Sequence, residues 1–127
     1  MPTKTTRGLE ISVEAFFLPD RSDPDQELYT FAYRVRFKNT SRETMQLISR
    51  HWIVTDSNGK VIEVKGEGVV GEQPILKPGA EYEYMSGSNL NSPVGTMHGT
   101  YQMHTESGET FDAEIPCFNL SVPGILN

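Results

Sequence analysis

The sequence predicts an all-β protein, a sandwich of two sheets built from about seven antiparallel strands. Apolar and polar residues alternate with period two in four separate segments, which is the pattern of strands that bury one face. None of these segments places apolar residues three and four positions apart, as an amphipathic helix would require. Each strand therefore has one polar face, and strands of this kind pair into two packed sheets.

Four strands follow from clean alternation. The first covers residues 9–15, where the odd positions are apolar and the even positions are polar. The second covers residues 29–37 and repeats this alternation. Residues 97–103 and 111–117 show the same pattern nearer the end of the chain, and together these segments predict half-buried strands.

Two further strands are predicted in the middle of the chain. The segment 45–55 is apolar on both sides of a change of phase at residues 48–49, which indicates a bulge or a strand covered on both faces. Residues 61–65 follow a turn whose Asn-Gly pair, at 58–59, can take the positive φ of a tight hairpin. The two segments are therefore expected to pair with each other.

The last predicted strand covers residues 81–86 and is entered through the Leu-Lys-Pro-Gly turn at 76–79. Residues 19–26 form a polar loop between the first two strands. The chain of 127 residues contains no linker, repeat or low-complexity tract. We therefore expect one domain over residues 1–127, large enough for a single core.

Charge and cysteine content limit the classes of partner and compartment. The net charge of −6 argues against nucleic acids and anionic membranes, because binding either requires positive charge. No segment approaches the roughly 20 apolar residues that cross a bilayer, and no secretory signal is visible at the start. The single cysteine, Cys117, fits a reducing compartment and falls in the apolar register, as a small core residue would. We expect a cytoplasmic protein.

A glycine-rich stretch at residues 64–79 carries the G-x-G-x-x-G spacing of a dinucleotide-binding loop at Gly66, Gly68 and Gly71. Such a loop needs a helix directly after the glycines, so that free N–H groups meet a pyrophosphate. Pro74, with a Pro-Gly pair four residues later, leaves no room for that helix. The spacing is therefore present without the context that makes it work.

Two interpretations of these glycines remain open. In the first, which we favour, they let a sandwich connection bend or pass close to a neighbouring strand. In the second, they form a nest that holds a phosphate, with positive charge from Lys65 and Lys77. Glu67 and Glu72 would repel that anion. In either case, a long glycine-rich connection on a rigid sandwich is where a partner would dock.

The same stretch also carries a family resemblance. With RHWIVTD before it, at residues 50–56, and LKPGAEY at its end, at residues 76–82, the chain resembles the small bacterial ApaG family, also called CorD. The resemblance covers about residues 5–126 and implies a fibronectin type III-like or immunoglobulin-like fold. It also implies a role in cobalt resistance and magnesium efflux.

The resemblance has two further implications for function. Similar ApaG domains are fused within F-box ubiquitin-ligase subunits and a DNA polymerase delta-interacting protein, which implies recognition of other proteins. ApaG genes tend to neighbour a diadenosine tetraphosphate hydrolase, which suggests a nucleotide only by association.

Metal ligands and catalytic groups are not predicted. His98 and His104 share one face of a strand but lie roughly 20 Å apart along it, too far to share an ion. His51 would approach them only through folding that the sequence does not reveal. The acidic residues show no spacing for a magnesium cluster, and no Ser-His-Asp or Cys-His arrangement stands out. We expect no metal, no cofactor and no enzymatic activity, with any effect on ion levels indirect.

A weaker candidate surface involves aromatic and basic residues. Trp52, the only tryptophan, is predicted to lie in the core, the alternative being an exposed anchor with Arg50 and His51 at its rim. Arg34 and Arg36 project from the polar face of the second strand, either as a solvated, ion-paired face or as a docking patch for an acidic partner. The candidate acidic neighbours are Glu10, Glu14, Asp112 and Glu114.

The leading hypothesis is a non-enzymatic binding module that presents loops and strand edges to an unidentified protein partner, with residues 64–74 as the main contact. The alternative is a sensor that holds pyrophosphate or a nucleotide on the same loop. The candidate residues of the loop are Lys65, Gly66, Glu67, Gly68 and Gly71.

Overall fold

Nine antiparallel strands form two sheets in residues 1–124, the part of the chain that the computed structural model describes. In chain order the strands are β1 (Thr3–Thr6), β2 (Leu9–Phe17), β3 (Tyr29–Asn39), β4 (Met45–Asp56), β5 (Val61–Glu67), β6 (Ile75–Leu76), β7 (Glu81–Leu90), β8 (Val94–Thr105) and β9 (Thr110–Ser121). The first sheet has the order β1-β2-β3-β7 and the second β5-β4-β8-β9, with β6 paired to the start of β4. The two-sheet, immunoglobulin/fibronectin type III-like sandwich is therefore confirmed, with two strands more than the seven expected.

The two additional strands, β1 and β6, are short. β1 is almost wholly exposed and joins β2 through a turn at Arg7 and Gly8, which have φ of 47° and 82°. Positive φ at both central residues is the geometry of a type I′ hairpin. β6 pairs only two residues with β4. β1 is too exposed and β6 is too short for alternation to reveal them in the sequence. Each becomes a strand by pairing with its neighbour.

The core lies between the sheets and uses the apolar faces that alternation predicts. Trp52 is 2% exposed, and its ring meets those of Tyr101 and Phe118 edge-on at 6.1 and 5.9 Å. Tyr33, from the first sheet, packs against Trp52 at 5.2 Å between ring centroids. The prediction of a core tryptophan is confirmed. Other fully buried side chains include Leu9, Ile11, Val13, Phe31, Val35, Phe37, Leu47, Met103 and Leu120.

A bulge in β4 explains the change of phase seen in its sequence. Leu47 lies opposite Met103, but the next paired residue, Ser49, lies opposite Gln102, so one residue of β4 is unopposed. The extra residue moves the buried face from odd positions before the bulge to even positions after it, where Trp52 is buried. Of the two explanations offered by the sequence, the bulge is correct.

A second bulge, in β9, overturns the prediction for Cys117. Met97 lies opposite Phe118, whereas Gly99 lies opposite Ile115, so the register of β8 and β9 shifts between these pairs. The shift leaves two consecutive residues buried, at 115 and 116, and turns the thiol of Cys117 outward. Cys117 is exposed because alternation predicts a face only until a bulge interrupts the strand.

The turn between β4 and β5 is organised by Asp56. Its carboxylate accepts hydrogen bonds from the backbone N–H groups of Asn58 and Lys60, each at 2.9 Å. Of the Asn-Gly pair, Gly59 has a φ of 85° and Asn58 has a negative φ. The turn is present as predicted, but only its glycine takes the left-handed conformation.

The polar loop predicted at residues 19–26 contains two single-turn 3-10 helices, Pro19–Arg21 and Pro24–Gln26. Each has its proline at the first position, where the missing N–H would have no helical partner. No helix within residues 1–124 has the length and apolar character needed to span a membrane.

The two lateral sides of the sandwich are constructed differently. On the closed side, β1 lies beside β9: Lys4 pairs with Glu114, and the Glu114 N–H donates to the Thr6 hydroxyl at 3.2 Å. On the open side, the end strands are β5 in the second sheet and β7 in the first.

Candidate functional site

The open side presents β5 as a solvent-exposed edge. Among residues 1–124 the strand pairs with β4 alone, and each of its residues except Gly66 is exposed. Three apolar side chains lie in this exposed strand: Val61 is 60% exposed, Ile62 40% and Val64 41%. A long edge strand with apolar side chains is a ready template for pairing with another chain.

The hydrogen-bond phase of β5 shows which backbone groups face outward. The Asp56 N–H donates to the Lys60 carbonyl at 3.0 Å, and the Gly68 N–H donates to the Ile48 carbonyl at 2.8 Å. Since antiparallel pairs alternate, the even-numbered residues of β5 bond to β4. The N–H and C=O groups of the odd-numbered residues, at 61, 63, 65 and 67, therefore point away from the sheet.

The Arg50 side chain lies at the end of β5, next to Gly66. It lies opposite Gly66 in the β4–β5 pairing, and a Cβ at Gly66 would come within 2.7 Å of the Arg50 guanidinium. One guanidinium nitrogen, Nη1, donates to the carbonyls of Glu67 and Gly68 at 3.0 and 2.9 Å. A side chain at residue 66 would therefore displace the Arg50 guanidinium from this position.

Gly68 and Gly71 build a tight turn directly after β5. Gly68 has a φ of 61°, and a Cβ there would lie 2.2 Å from the Glu72 carbonyl oxygen. Val69 and Glu72 exchange backbone hydrogen bonds of 2.8 and 3.0 Å around Val70 and Gly71, which have φ of 49° and 80°. This is a two-residue type I′ turn.

The turn uses several of the amides that a phosphate site would need. The N–H groups of Gly68, Val69 and Glu72 all donate to backbone carbonyls. After the turn, the Pro74 carbonyl accepts from the Leu47 N–H, and the chain enters β6 rather than a helix. Gly68 and Gly71 thus allow the chain to form a tight turn, which agrees with the interpretation that these glycines serve backbone bending.

Val70 is the exposed tip of this turn. Its neighbour Val69 is 1% exposed and belongs to the core, whereas Val70 is 66% exposed. A β-branched residue at positive φ is strained, because its Cβ crowds the backbone. The turn therefore holds an apolar side chain in solvent at a conformational cost.

A shallow depression of about 410 Å³ lies on the outer face of the second sheet beside β5. Lys65, Glu67 and His51 contribute to its walls, and His51 Nε2 lies 2.7 Å from a carboxylate oxygen of Glu63. The structure thus brings five of the sequence-predicted residues to one corner. They are Arg50, His51, Lys65, Gly66 and Glu67.

Arg34 and Arg36 lie elsewhere, on the outer face of the first sheet. Arg34 pairs with Glu14 at 3.1 Å and with Glu83 at 3.2 Å, and Arg36 pairs with Glu83 at 2.9 Å. Glu14 was among the acidic neighbours that the sequence suggested. Glu83 was missed because alternation does not reveal that β7 pairs with β3. The four basic candidates therefore do not form one surface.

The histidines and the cysteine also separate into two places. His51, His98 and Cys117 border a second depression, of about 440 Å³, on the outer face of the second sheet. His104 lies opposite Gln46, at the other end of β8. Within the described residues, no three His, Cys, Asp or Glu side chains are grouped so that they could hold a metal ion. Sequence reasoning missed Cys117 here because of the bulge in β9.

Two buried tyrosines, Tyr84 and Tyr101, lie in the part of the core nearest the open side. The hydroxyls of Tyr84 and Tyr101 are 2.5 Å apart, and burial raises the pKa of both groups well above the ordinary value. The nearby Arg50 charge opposes this rise in pKa only in part. The Trp52 indole N–H, close to the Tyr84 hydroxyl, makes no hydrogen bond of normal geometry. These groups form a buried polar cluster in the part of the core nearest the open side.

Comparison with known proteins identifies the family. The family model described as the ApaG domain matches residues 19–105, which include β5 and the glycine turn. The chain is 54% identical to Protein ApaG of Aromatoleum aromaticum over 119 residues, 94% of each chain. The chain belongs to the ApaG family.

Further relatives agree with this assignment. The chain is 52% identical to Protein ApaG of Brucella suis over 123 residues, 97% of this chain and 95% of the relative. The crystal structure of an ApaA protein from Bordetella pertussis matches with a TM-score of 0.89 at 47% identity, covering 97% of both chains. The sandwich is thus similar in a family member whose structure was solved by crystallography.

Proposed function

We propose that this ApaG-family chain is a non-enzymatic, cytoplasmic protein-binding module that receives an extended segment of a partner protein along β5. The observation that carries the proposal is the outward-facing backbone of β5, flanked by the exposed side chains of Val61, Ile62 and Val64. Addition of a strand to an open sheet edge is a recurring mode of peptide recognition.

The edge supplies both affinity and selectivity in this mode. Outward N–H and C=O groups at alternate residues bond to the backbone of the incoming segment. Ile62 and Val64 lie on the same face as their cross-strand neighbours Val54 and Trp52, and offer apolar contact beyond the core. Glu63 and Lys65 lie on the opposite face and select the charge of the partner's side chains.

Val70 extends this surface past the end of β5. Its exposed side chain is held outward by the turn of residues 69–72. An apolar side chain kept in solvent at a strained backbone position is a candidate contact residue. The partner site therefore comprises β5 and the tip of the glycine turn.

An indirect role in cobalt resistance and magnesium efflux is part of the same proposal. Its support is what the resemblance to the ApaG family implies, together with the separation of His104 from His51 and His98. In this account the chain acts on ion levels through the partner protein that it binds.

The alternative, a sensor for pyrophosphate or a nucleotide at residues 64–74, has less support. The amides of Gly68, Val69 and Glu72 are already bonded within the chain. Arg50 Nη1 donates to two backbone carbonyls of this segment. The carboxylates of Glu67 and Glu72 add negative charge to a loop that would have to hold an anion.

The test is partner capture by an edge-blocked variant. Lys65→Pro removes an outward N–H without removing a β4–β5 bond, and a proline on an edge strand blocks pairing. Cross-linking in native cytosol should capture a partner with the wild-type chain and lose it with Lys65→Pro. Ile75→Lys is the control, since Ile75 is 63% exposed but lies outside β5. A partner that Lys65→Pro still binds would contradict the proposal.

A further inference from the structure

The exposed edge of β5 is complementary to itself. Along this strand, the sequence VIEVKGE places Glu63 and Lys65 at equal distances on either side of Val64. Both charged residues have their backbone N–H and C=O groups on the free edge. Within residues 1–124, Lys65 has no ion-pair partner, while Glu63 is held in place by His51 at 2.7 Å.

Antiparallel pairing of two such edges about an axis through Val64 satisfies these groups. Glu63 of each copy then lies opposite Lys65 of the other, and both residues fall at hydrogen-bonded positions, as their outward backbone requires. The two Val64 side chains meet at the axis in a non-hydrogen-bonded pair, where side chains approach most closely.

Neighbouring registers are disfavoured by charge. An axis through Glu63 places the two Glu63 carboxylates opposite each other, and an axis through Lys65 places the two ammonium groups opposite each other. Like charges directly opposite on paired strands are destabilising. Because one register pairs opposite charges and the adjacent ones pair like charges, the edge specifies its own alignment.

We propose that two copies of this chain associate through β5, centred on Val64, so that their second sheets join into one continuous sheet. The association uses the same edge as the proposed partner site but does not depend on any partner. A second copy and a bound partner segment compete for this edge. Self-pairing thus masks the apolar strand when no partner is bound.

The expected association is weak. A contact confined to one seven-residue strand is smaller than the roughly 1,600 Å² that a standard stable interface buries. Each chain also carries a net charge of −6, so the two copies repel each other overall. The free chain should therefore change from monomer to dimer over a concentration series of about 0.01 to 1 mM, which sedimentation velocity measures.

Charge exchange tests the register. Glu63→Lys and Lys65→Glu each convert two opposite-charge pairs into like-charge pairs, and each should weaken association roughly 10- to 100-fold. The double variant Glu63→Lys/Lys65→Glu restores opposite charges and should associate like the wild type. An equimolar mixture of the two single variants should also associate, because each supplies the charges that the other lacks.

The control is Lys77→Glu, which makes the same charge change at an exposed position outside β5 and should associate like the wild type. A mixture of single variants that stays monomeric would overturn the proposal, as would a wild-type chain that is monomeric throughout the series. A wild-type chain that self-associates but captures no partner in native cytosol would refute the proposed function instead, so the two failures are distinguishable.

A cross-link gives a second, independent readout. In a Cys117→Ser background, Val64→Cys should form an intermolecular disulfide readily, since a non-hydrogen-bonded pair has a Cα separation of about 4.5 Å, within the range of disulfides. Lys65→Cys should cross-link far less, because two copies of residue 65 are diagonal in the proposed register. Faster cross-linking at residue 65 than at residue 64 would exclude this register.

Discussion

The closed and open sides of the sandwich end their sheets in opposite ways. On the closed side, β1 is short and polar, and its Lys4 and Thr6 are tied to β9. On the open side, β5 is seven residues long, carries Val and Ile in solvent and pairs, within the described part of the chain, with β4 alone. Proteins usually blunt their edges with short strands and charges, and the closed side follows this rule. The contrast indicates that the exposure of β5 belongs to one edge and is not a general property of the fold.

The two sides also differ in what lies beneath them. At the open side the core ends at the bonded hydroxyls of Tyr84 and Tyr101, where Tyr84 belongs to β7 and Tyr101 is fully buried. Within residues 1–124 the closed side has no such pair, because there the neighbouring strands β1 and β9 contact each other directly.

The largest predicted effect is alkaline destabilisation through this tyrosine pair. Burial raises the pKa of Tyr84 and Tyr101, so the folded state holds their protons more tightly than the unfolded state. Stability from these groups is complete below the unfolded pKa of about 10 and is lost as the pH rises above it. Each group contributes a slope of about 1.4 kcal/mol per pH unit, so the free energy of unfolding should fall by about 3 to 4 kcal/mol between about pH 10 and 11.5.

Denaturant titrations across this pH range measure the slope. Tyr84→Phe/Tyr101→Phe removes both ionisable groups and should flatten the fall in the free energy of unfolding. An unchanged slope in the double variant would show that the alkaline sensitivity arises elsewhere, and that the open side does not depend on this pair.

The second prediction compares glycines at two turns. Gly68, after β5, and Gly59, before it, both have positive φ, but only Gly68 has a backbone atom in the path of a Cβ. Gly59→Ala should cost about 1 to 2 kcal/mol from backbone strain alone. Gly68→Ala adds the clash with the Glu72 carbonyl and should cost about 2 to 4 kcal/mol.

Thermal or denaturant unfolding of the two variants gives this comparison directly. Equal losses of stability would mean that the turn after β5 relaxes freely around a side chain. In that case the turn could not hold Val70 in a fixed position, and the contact surface would reduce to β5 itself.

Much of the fold could be predicted from the sequence because one face of most strands is buried. Alternation in residues 9–15 and 29–37 corresponds to the buried faces of β2 and β3. Pattern alone could not find β1, which is almost wholly exposed, or β6, whose two residues are too few for alternation to show although Leu76 is buried. It also failed at Cys117, because the bulge in β9 moves the buried face from Ile115 to Phe118 and Leu120, and the predicted alternation was extended through Cys117 without this change of phase.

The candidate site was predicted only in outline. The glycine spacing drew attention to residues 64–74, but the reasons for Gly66 and Gly68 lie in Arg50 and in the Glu72 carbonyl, which folding brings near. The exposure of β5 had no sequence signal, since Val61, Ile62 and Val64 resemble a buried strand. Ile62 and Val64 are exposed because β5 lies at the end of the second sheet, and Val61 is exposed because it lies on the outer face of that sheet.

The smallest predicted effect concerns the strain at Val70. Asparagine tolerates positive φ and forms, with the following Gly71, the preferred pair for a type I′ turn. Val70→Asn should therefore raise the free energy of unfolding by about 1 kcal/mol. The same substitution at Val61, which is similarly exposed but extended, should not stabilise, because asparagine is disfavoured in strands.

Measuring partner capture by Val70→Asn shows whether Val70 contacts the partner or is only a strained turn residue. If Val70 belongs to the partner surface, the variant should be more stable and yet capture less of the partner in cytosol. Greater stability with undiminished capture would remove Val70 from the surface and leave its strain without a functional reason. Natural proteins often keep mildly destabilising residues that have no function. A gain in stability from Val70→Asn therefore does not by itself show that Val70 is a contact residue. The combined measurement decides, since only a contact residue links a gain in stability to a loss of binding.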